Sequence, residues 1–466
     1  MASTFPGVIA FAILASMLLL GSILRNRIGF LRNSLIPASL IGGGLGFALL
    51  SLELIPGYSA SNFTALTFHF FTLSFMSLCL TGSSKKYVDS SGSSVVNGGL
   101  WLTVMWSVSL GMQGVLGYLA ILAYDAVTGA EVSAYLGALI THGFTQGPGQ
   151  ALTYGGIWEQ QYGIENATQV GLIYASLGFI VAFLVGVPLT KRFIDRGQNT
   201  NQTANIDSDS LSGFYKAERA PATGKMISHP GNLDSLAYHL GLLAVAYLLT
   251  HLWLSFVQPL VAGVKPMGIN LSVLFSHNLF FLHGLAVCVL MRIGLDKTGL
   301  NKRVDDETMK RITGSSVDFM VVGTLMSIKF AVLSALLAPI ALVTLVVTLA
   351  TLASCLMIGR LSGKLGPERT AASFGCCCGS TGSGLLLLRI MDPDFSTSVA
   401  KELAFFNLAI VIINIHILFI FAPIAPSLGG LSYVAIFGGT ALCVLALVPF
   451  LIKRKTAIYT ARGAVQ

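Results

Sequence analysis

Apolar runs of about 20 residues recur along the chain from Pro6 to Ile452, and a helix of that length is what crosses a hydrocarbon core about 30 Å thick. The pattern predicts spans near 6–24, 35–52, 63–80, 100–124 and 170–189, and again near 236–256, 271–291, 317–337, 340–358 and 399–422, with an eleventh at 431–452. Between the two sets of five lies 197–232, rich in Asn, Asp, Ser, Thr and Lys, the one stretch polar enough to be a solvated linker. The chain is therefore expected to be an all-α integral membrane protein of two five-span halves, with no room for a large soluble domain.

Composition agrees, since 54% of the 466 residues are hydrophobic and 10% charged, against about 25% charged in a soluble domain. The net charge of +8 forms no groove-lining cluster, so no nucleic-acid partner is expected; it reads as a topology signal. Arg25, Arg27 and Arg32 follow the first span, Lys85 and Lys86 the third, and Lys191, Arg192 and Arg196 the fifth. Lys297, Lys302, Arg303, Lys310 and Arg311 follow the seventh, Arg360, Lys364 and Arg369 the ninth, and Lys453, Arg454 and Lys455 the last, while the opposite loops hold only Lys265. Because cytoplasmic loops retain Lys and Arg, the N-terminus is expected outside, the linker and C-terminus inside, and the halves in opposite orientations. That is an inverted repeat, with one half at 1–196, the linker at 197–232, the second half at 233–425, and an extra span and cytoplasmic tail at 426–466. The expected location is an inner (plasma) membrane. No basic segment precedes the first span and no small-residue cleavage site follows it, so it reads as a retained helix.

The alternation holds only if 131–166 and 369–393, both broken at the middle by Gly, Pro and polar residues, do not cross. They are expected to be re-entrant hairpins, whose irregular backbone at membrane depth must be covered by protein or line a water-filled cavity. The first runs Thr141-His142-Gly143-Phe144-Thr145-Gln146-Gly147-Pro148-Gly149-Gln150 and the second Gly375-Cys376-Cys377-Cys378-Gly379-Ser380-Thr381-Gly382-Ser383-Gly384. Both contain Gly-x-x-x-Gly at one separation, Gly143 to Gly375 and Gly147 to Gly379. A broken helix points free N–H groups and a positive dipole end at an anion, and its carbonyl end suits a cation such as sodium.

The expected substrate contacts are Thr145, Gln146, Gly147, Gly149, Gln150, Gly379, Ser380, Thr381, Gly382 and Ser383. The bland alternative is that Gly and Ser here only permit close packing. Asn407 and Asn414, two turns apart, and Gln113 are candidate ion ligands or interhelical glue, and Lys329 in the eighth span either attracts a carboxylate or snorkels. Arg389 reads as a snorkelling anchor, and His69, His277 and His283 as packed or hydrogen-bonded helix residues. Cys376-Cys377-Cys378 read as small, packable side chains, since adjacent cysteines on a helix cannot all bind one metal. Among the seven cysteines no CxxC occurs, so neither disulfide framework nor zinc site is expected.

Several of these segments resemble the bacterial sodium/glutamate symporters of the glutamate:sodium symporter family. The resemblance rests on Ile36-Pro37 with Gly42-Gly43, on Met112-Gln113, on the first hairpin with Tyr162-Gly163-Ile164-Glu165-Asn166-Ala167-Thr168, and on Lys329. It implies two inverted five-helix repeats, a homodimer, elevator-type movement of the hairpin-bearing domain, and sodium-driven uptake of L-glutamate with no organic cofactor. The tips depart from the family pattern: a Gly-Gly-His-Gly-Thr-Gly run is replaced by Gly143-Phe144-Thr145-Gln146-Gly147-Pro148-Gly149, and a Gly-Ala-Thr-Pro-Thr tip by Gly379-Ser380-Thr381-Gly382-Ser383. Another amino acid or a dicarboxylate is the alternative substrate. An intramembrane enzyme would need catalytic residues at depth, and there is no HExxH, no GxSxG and no aspartate pair in the spans. A passive channel would need no sodium gradient.

Overall fold

The computed structural model describes residues 5–81, 92–201, 208–220, 222–266, 270–393 and 396–452. The charge markers Lys85, Lys86, Lys453, Arg454 and Lys455, and the tail at 453–466, lie outside the described residues. Every regular element among the described residues is helical. In chain order the first ten are α1 (Phe5–Arg27), α2 (Gly29–Asn33), α3 (Ala38–Ser51), α4 (Ser61–Leu80), α5 (Gly92–Thr128), α6 (Ala134–Ala138), α7 (Ile140–Phe144), α8 (Pro148–Tyr162), α9 (Ala167–Asp195) and α10 (Ser208–Ser212). The rest are α11 (Ser235–Leu260), α12 (Leu271–Leu274), α13 (Phe280–Thr298), α14 (Asp306–Met326), α15 (Phe330–Ala335), α16 (Leu337–Leu361), α17 (Gly366–Cys378), α18 (Thr381–Met391), α19 (Val399–Ile413) and α20 (Gly430–Leu445).

Among the described residues, eight helical stretches are long and apolar enough to cross a membrane, so the chain is a multi-pass membrane protein. Three of the eleven expected spans take another form. The one expected at 35–52 is the 14-residue helix α3, about 21 Å long at 1.5 Å per residue; Pro37 fixes its start with φ −59°. The one expected at 317–337 stops at Met326 and resumes at Phe330. There the Ser327 hydroxyl donates back to the Gly323 carbonyl (2.7 Å), a local bond that competes with helix continuation. The one expected at 399–422 leaves α-geometry at Asn414 and closes with a π-helical segment, His416–Phe421.

Two compact units interleave along the sequence. The first draws its described residues from Met1–Arg27, Pro37–Lys85 and Ser212–Lys329, the second from Ile28–Ile36, Lys86–Leu211 and Phe330–Gln466. In the first unit α1 and α3 pack backbone to backbone: a Cβ on Gly21 would lie 2.5 Å from the Gly42 nitrogen. Small residues permit that approach in an apolar solvent, where packing rather than water drives association. Ala10, Leu14, Met17 and Phe63 close over Val322 and Met326 of α14, and Ser77 of α4 bonds Thr313 (2.7 Å). The outer faces of α1 and α11 are mostly exposed, as lipid-facing helices are.

The start of α14 carries a measurable capping interaction. Asp305 accepts from the Thr308 hydroxyl (2.7 Å), the Lys225 N–H (3.1 Å) and the Thr308 N–H (2.9 Å). Partial burial pushes its pKa up, but these bonds, with His239 nearby, outweigh it and hold the carboxyl below its ordinary value. A depressed folded pKa means stabilisation that is full above the unfolded pKa of about 3.9 and is lost as pH falls through the lower folded value. Asp305→Ala should therefore cost about 1 kcal/mol at neutral pH. In detergent melts the gap between parent and variant should close below about pH 4.

In the second unit α5 is the central post, with Trp101, Val104, Met105 and Val108 packed against Ile358 of α16 and against Val444, Val448 and Leu451 at the far end of the chain. The broken segments α6–α8 and α17–α18 both belong to this unit. α9 is mostly buried and lies against both.

Candidate functional site

The break between α7 and α8 follows from Gly147-Pro148. Proline brings no N–H and disfavours helical geometry in the residue before it, and Gly147 answers with φ +92°, ψ −179°, a region essentially closed to other residues. The turns on either side still close, through Gly147 N–H to Gly143 O (3.2 Å) and Ala151 N–H to Gly147 O (3.1 Å). A Cβ at Gly147 would meet only the Gly379 carbonyl, at 3.7 Å, so space is available and the cost of adding one is backbone strain. Gly147→Ala should destabilise the protein by about 1–3 kcal/mol, read as a fall in Tm; an unchanged Tm would refute the strain.

The break between α17 and α18 is capped from both sides. The Gly375 carbonyl accepts from the N–H groups of Gly379 (2.9 Å) and Ser380 (3.3 Å), and the Ser380 hydroxyl accepts from the Ser383 N–H (3.5 Å) as the N-cap of α18. The limbs fold back on each other because Gly375 and Gly384 are bare: a Cβ on Gly375 would lie 2.6 Å from the Gly384 Cα.

The two breaks meet. Gly147 faces the Gly379 carbonyl, and the Thr145 hydroxyl sits 3.3 Å from the Cys377 carbonyl. Gln113 of α5 bridges them: its Nε2 donates to Cys377 O (2.9 Å) and Thr351 Oγ1 (3.0 Å), and its Oε1 accepts from Thr145 Oγ1 (2.5 Å). Trp106 Nε1 donates to the Thr145 carbonyl (3.1 Å) and Thr141 Oγ1 to the Leu110 carbonyl (2.6 Å). The Thr145 and Cys377 carbonyls beside the breaks are thus bonded by Trp106 and Gln113 of α5, and Thr141 adds a bond to the α5 backbone.

The two tips differ in access. Thr145, Gln146, Gly147, Gly149 and Gln150 are all buried, and His142 Nδ1 lies 3.0 Å from Gln146 Oε1. His142 Nε2 and Gln146 Nε2 are buried without a hydrogen-bond partner among the described residues. At the second tip Gly379 and Ser383 are buried, Ser380 and Thr381 half-buried and Gly382 exposed, so the N-terminal turn of α18 is the open end. Thr381 Oγ1 donates to Asn407 Oδ1 (2.8 Å).

Asn407 and Asn414, expected on roughly one face, have separate partners. Asn414 donates to Ser107 Oγ (2.8 Å) and Ile410 O (2.9 Å), while its Oδ1 is buried without a partner among the described residues. It stands where α19 gives way to the π segment, and π segments free backbone carbonyls. Tyr154 and Trp158 of α8, one turn apart, supply the missing donors to Leu418 O and Ala422 O, each at 2.8 Å. Lys329 lies in the first unit, exposed in the break between α14 and α15. The three adjacent cysteines are fully buried.

One pair has no counterpart among the sequence-based expectations. Arg369 Nε and Nη2 donate to Glu402 Oε2 (2.8 Å) and Oε1 (2.7 Å), a bidentate pair buried between α17 and α19. Arg369 counts in the sequence as a loop cation after the ninth span, whereas here it sits inside α17. The available signal was Glu402 itself, an acid within an apolar span.

The sequence matches the family described as Sodium/glutamate symporter over residues 4–385. Two curated proteins named sodium/glutamate symporter, from Escherichia coli (strain K12) and Shigella flexneri, are each 25% identical to it over 259 residues, 55% of this chain and 61% of theirs. The chain thus spans about three fifths of the length of these relatives.

Proposed function

Because the chain belongs to the sodium/glutamate symporter family, a family of transporters, we propose that it carries L-glutamate or a closely related small carboxylate into the cell together with sodium. In this reading α6–α8 and α17–α18 are re-entrant hairpins of two inverted repeats, and transport is alternating access of elevator type by a homodimer in a bacterial inner membrane, with the N-terminus outside and the C-terminus inside. The observation that carries it is the meeting of the two broken helices in a polar cluster among apolar spans, with Gly147 facing Gly379 and Thr145 facing Cys377. Those pairs share one sequence separation of 232 residues, and equivalent positions face each other across a two-fold axis when they lie close to it.

The half-open start of α18 suits a substrate carboxylate. First-turn N–H groups have no partner inside their own helix, and the dipole end favours negative charge. Ser380, Thr381 and Ser383 add hydroxyls there. Sodium is a hard cation that takes oxygen ligands, and the amide oxygens of Asn407 on α19 and Asn414 at its end are the candidate donors. Gln113 acts as the strut joining the tips, since its amide is engaged on both sides.

The test is uptake of labelled glutamate into proteoliposomes with and without an inward sodium gradient, with unlabelled amino acids and dicarboxylates as competitors. Saturable, sodium-dependent uptake is expected. Sodium-dependent uptake outcompeted by another compound would change the substrate and keep the mechanism; flux that neither saturates nor needs sodium would overturn the proposal in favour of a channel.

A further inference from the structure

We infer that His251 and His277 of the first unit form a binding site for a borderline divalent transition-metal cation, with Zn²⁺ the best fit. The two rings come from different elements, α11 and the 3₁₀ turn His277–Leu279. They present nitrogen to nitrogen, His251 Nδ1 and His277 Nε2 lying 3.3 Å apart. Zinc held by two imidazoles at about 2.0–2.1 Å in tetrahedral geometry needs its nitrogens about 3.3–3.4 Å apart. The rings are tilted by 55° with centroids 5.4 Å apart, so they are not held together by stacking. Without the ion the same contact is a long N–H···N hydrogen bond, whose proton the ion displaces.

The neighbouring histidines show what a structural role looks like in this unit. His283 is bonded at both nitrogens, by Trp253 Nε1 (3.3 Å) and at the Leu274 carbonyl (3.0 Å), and His69 bonds the Tyr247 hydroxyl. His251 and His277 instead face each other, and both are exposed. The backbone beside them points the same way. Between α12 and α13 the chain leaves helical geometry, with Ser276 extended at φ −80°, ψ 154°. Irregular backbone within a spanning segment is tolerated where protein covers it or water reaches it, and the site requires water to reach this break. No third His, Cys, Asp or Glu joins the pair among the described residues, so water completes the coordination and the ion exchanges freely. Imidazole ligands favour Zn²⁺, Ni²⁺ and Cu²⁺ over Mg²⁺ and Ca²⁺, which take oxygen. Each ring keeps its one proton by moving it to the outward nitrogen. The bound ion clips α11 to the corner ahead of α13, a site separate from the polar cluster of the second unit.

The experiment is Zn²⁺ titration, by calorimetry, of the full chain in detergent without a polyhistidine tag, alongside His251→Ala, His277→Ala and a His69→Phe control. Each of the first two should weaken binding by at least about tenfold, the lower bound for loss of even an outer-shell partner, while the control stays at the parent value. No Zn²⁺ binding by the parent, or binding unchanged in both alanine variants, overturns the inference. Should the variants fail to fold, modification of the parent's histidines by diethyl pyrocarbonate, read by mass spectrometry, tests the same site. Zn²⁺ must protect His251 and His277 selectively, and equal modification with and without Zn²⁺ refutes the site.

Discussion

Glu402→Ala is expected to lower the stability of the protein by about 3–5 kcal/mol, the cost of leaving one member of a buried ion pair uncompensated. Glu402 is fully buried and its Arg369 partner 7% exposed, so water cannot replace what the substitution removes. The carboxylate also accepts from Ser398 Oγ (2.8 Å), and Arg369 Nη1 donates to the Ser362 carbonyl. α5 makes room for the pair, because a side chain at Gly98 would occupy the place of the Glu402 carboxylate. Replacing both partners, as in Arg369→Met with Glu402→Leu, should recover most of the loss, since apolar packing often equals or exceeds a buried pair. The measurement is unfolding in detergent by heat or denaturant. A loss in Glu402→Ala below about 1 kcal/mol, the value of an exposed pair, would refute the burial.

The pair also bears on which part of α17–α18 is free to move. It fastens the first limb to α19, and the start of the linker ties both limbs, α17 through Thr200 N–H to Glu368 Oε1 (2.6 Å) and the far end of α18 through Asn201 Nδ2 to Asp392 Oδ1 (3.3 Å). The α18 end of the tip has looser ties, with Thr381 bonded to Asn407 and Gly382 exposed.

Hydrophobic run length locates the helices because lipid leaves the backbone few other options. It misjudges α3, the end of α14 and the end of α19, where a short apolar run is cut by Pro37, by a Ser327 hydroxyl turned on its own backbone, and by a π segment bonded from Tyr154 and Trp158. The first two outcomes rest on local breakers and the third on partners distant in sequence, and run length encodes neither. The motif at Gly143–Gly147 and Gly375–Gly379 is legible because Gly and Pro mark breaks whatever surrounds them. That Gln113 would join Thr145 to Cys377, or Arg369 find Glu402, is not, since nothing local in the sequence pairs residues on separate helices.

Thr381→Trp is expected to abolish sodium-driven uptake while leaving folding intact. Thr381 opens α18 half-buried, beside an exposed Gly382, so an indole there has space on the open side and covers the N–H groups proposed to meet the substrate carboxylate. Two conservative variants separate blockage from loss of the hydroxyl. Thr381→Ser keeps the bond to Asn407 Oδ1 and should transport nearly normally. Thr381→Val keeps the shape but loses a hydrogen bond of about 0.5–1.5 kcal/mol, so its KM should rise about 2–10-fold. Gel filtration and Tm establish that each variant is folded, and proteoliposome uptake gives KM and maximal rate. Normal uptake kinetics in folded Thr381→Trp would remove the start of α18 from the substrate path. Loss in Trp with retention in Val would mark bulk at that turn as the cause, because both variants lack the hydroxyl that bonds Asn407.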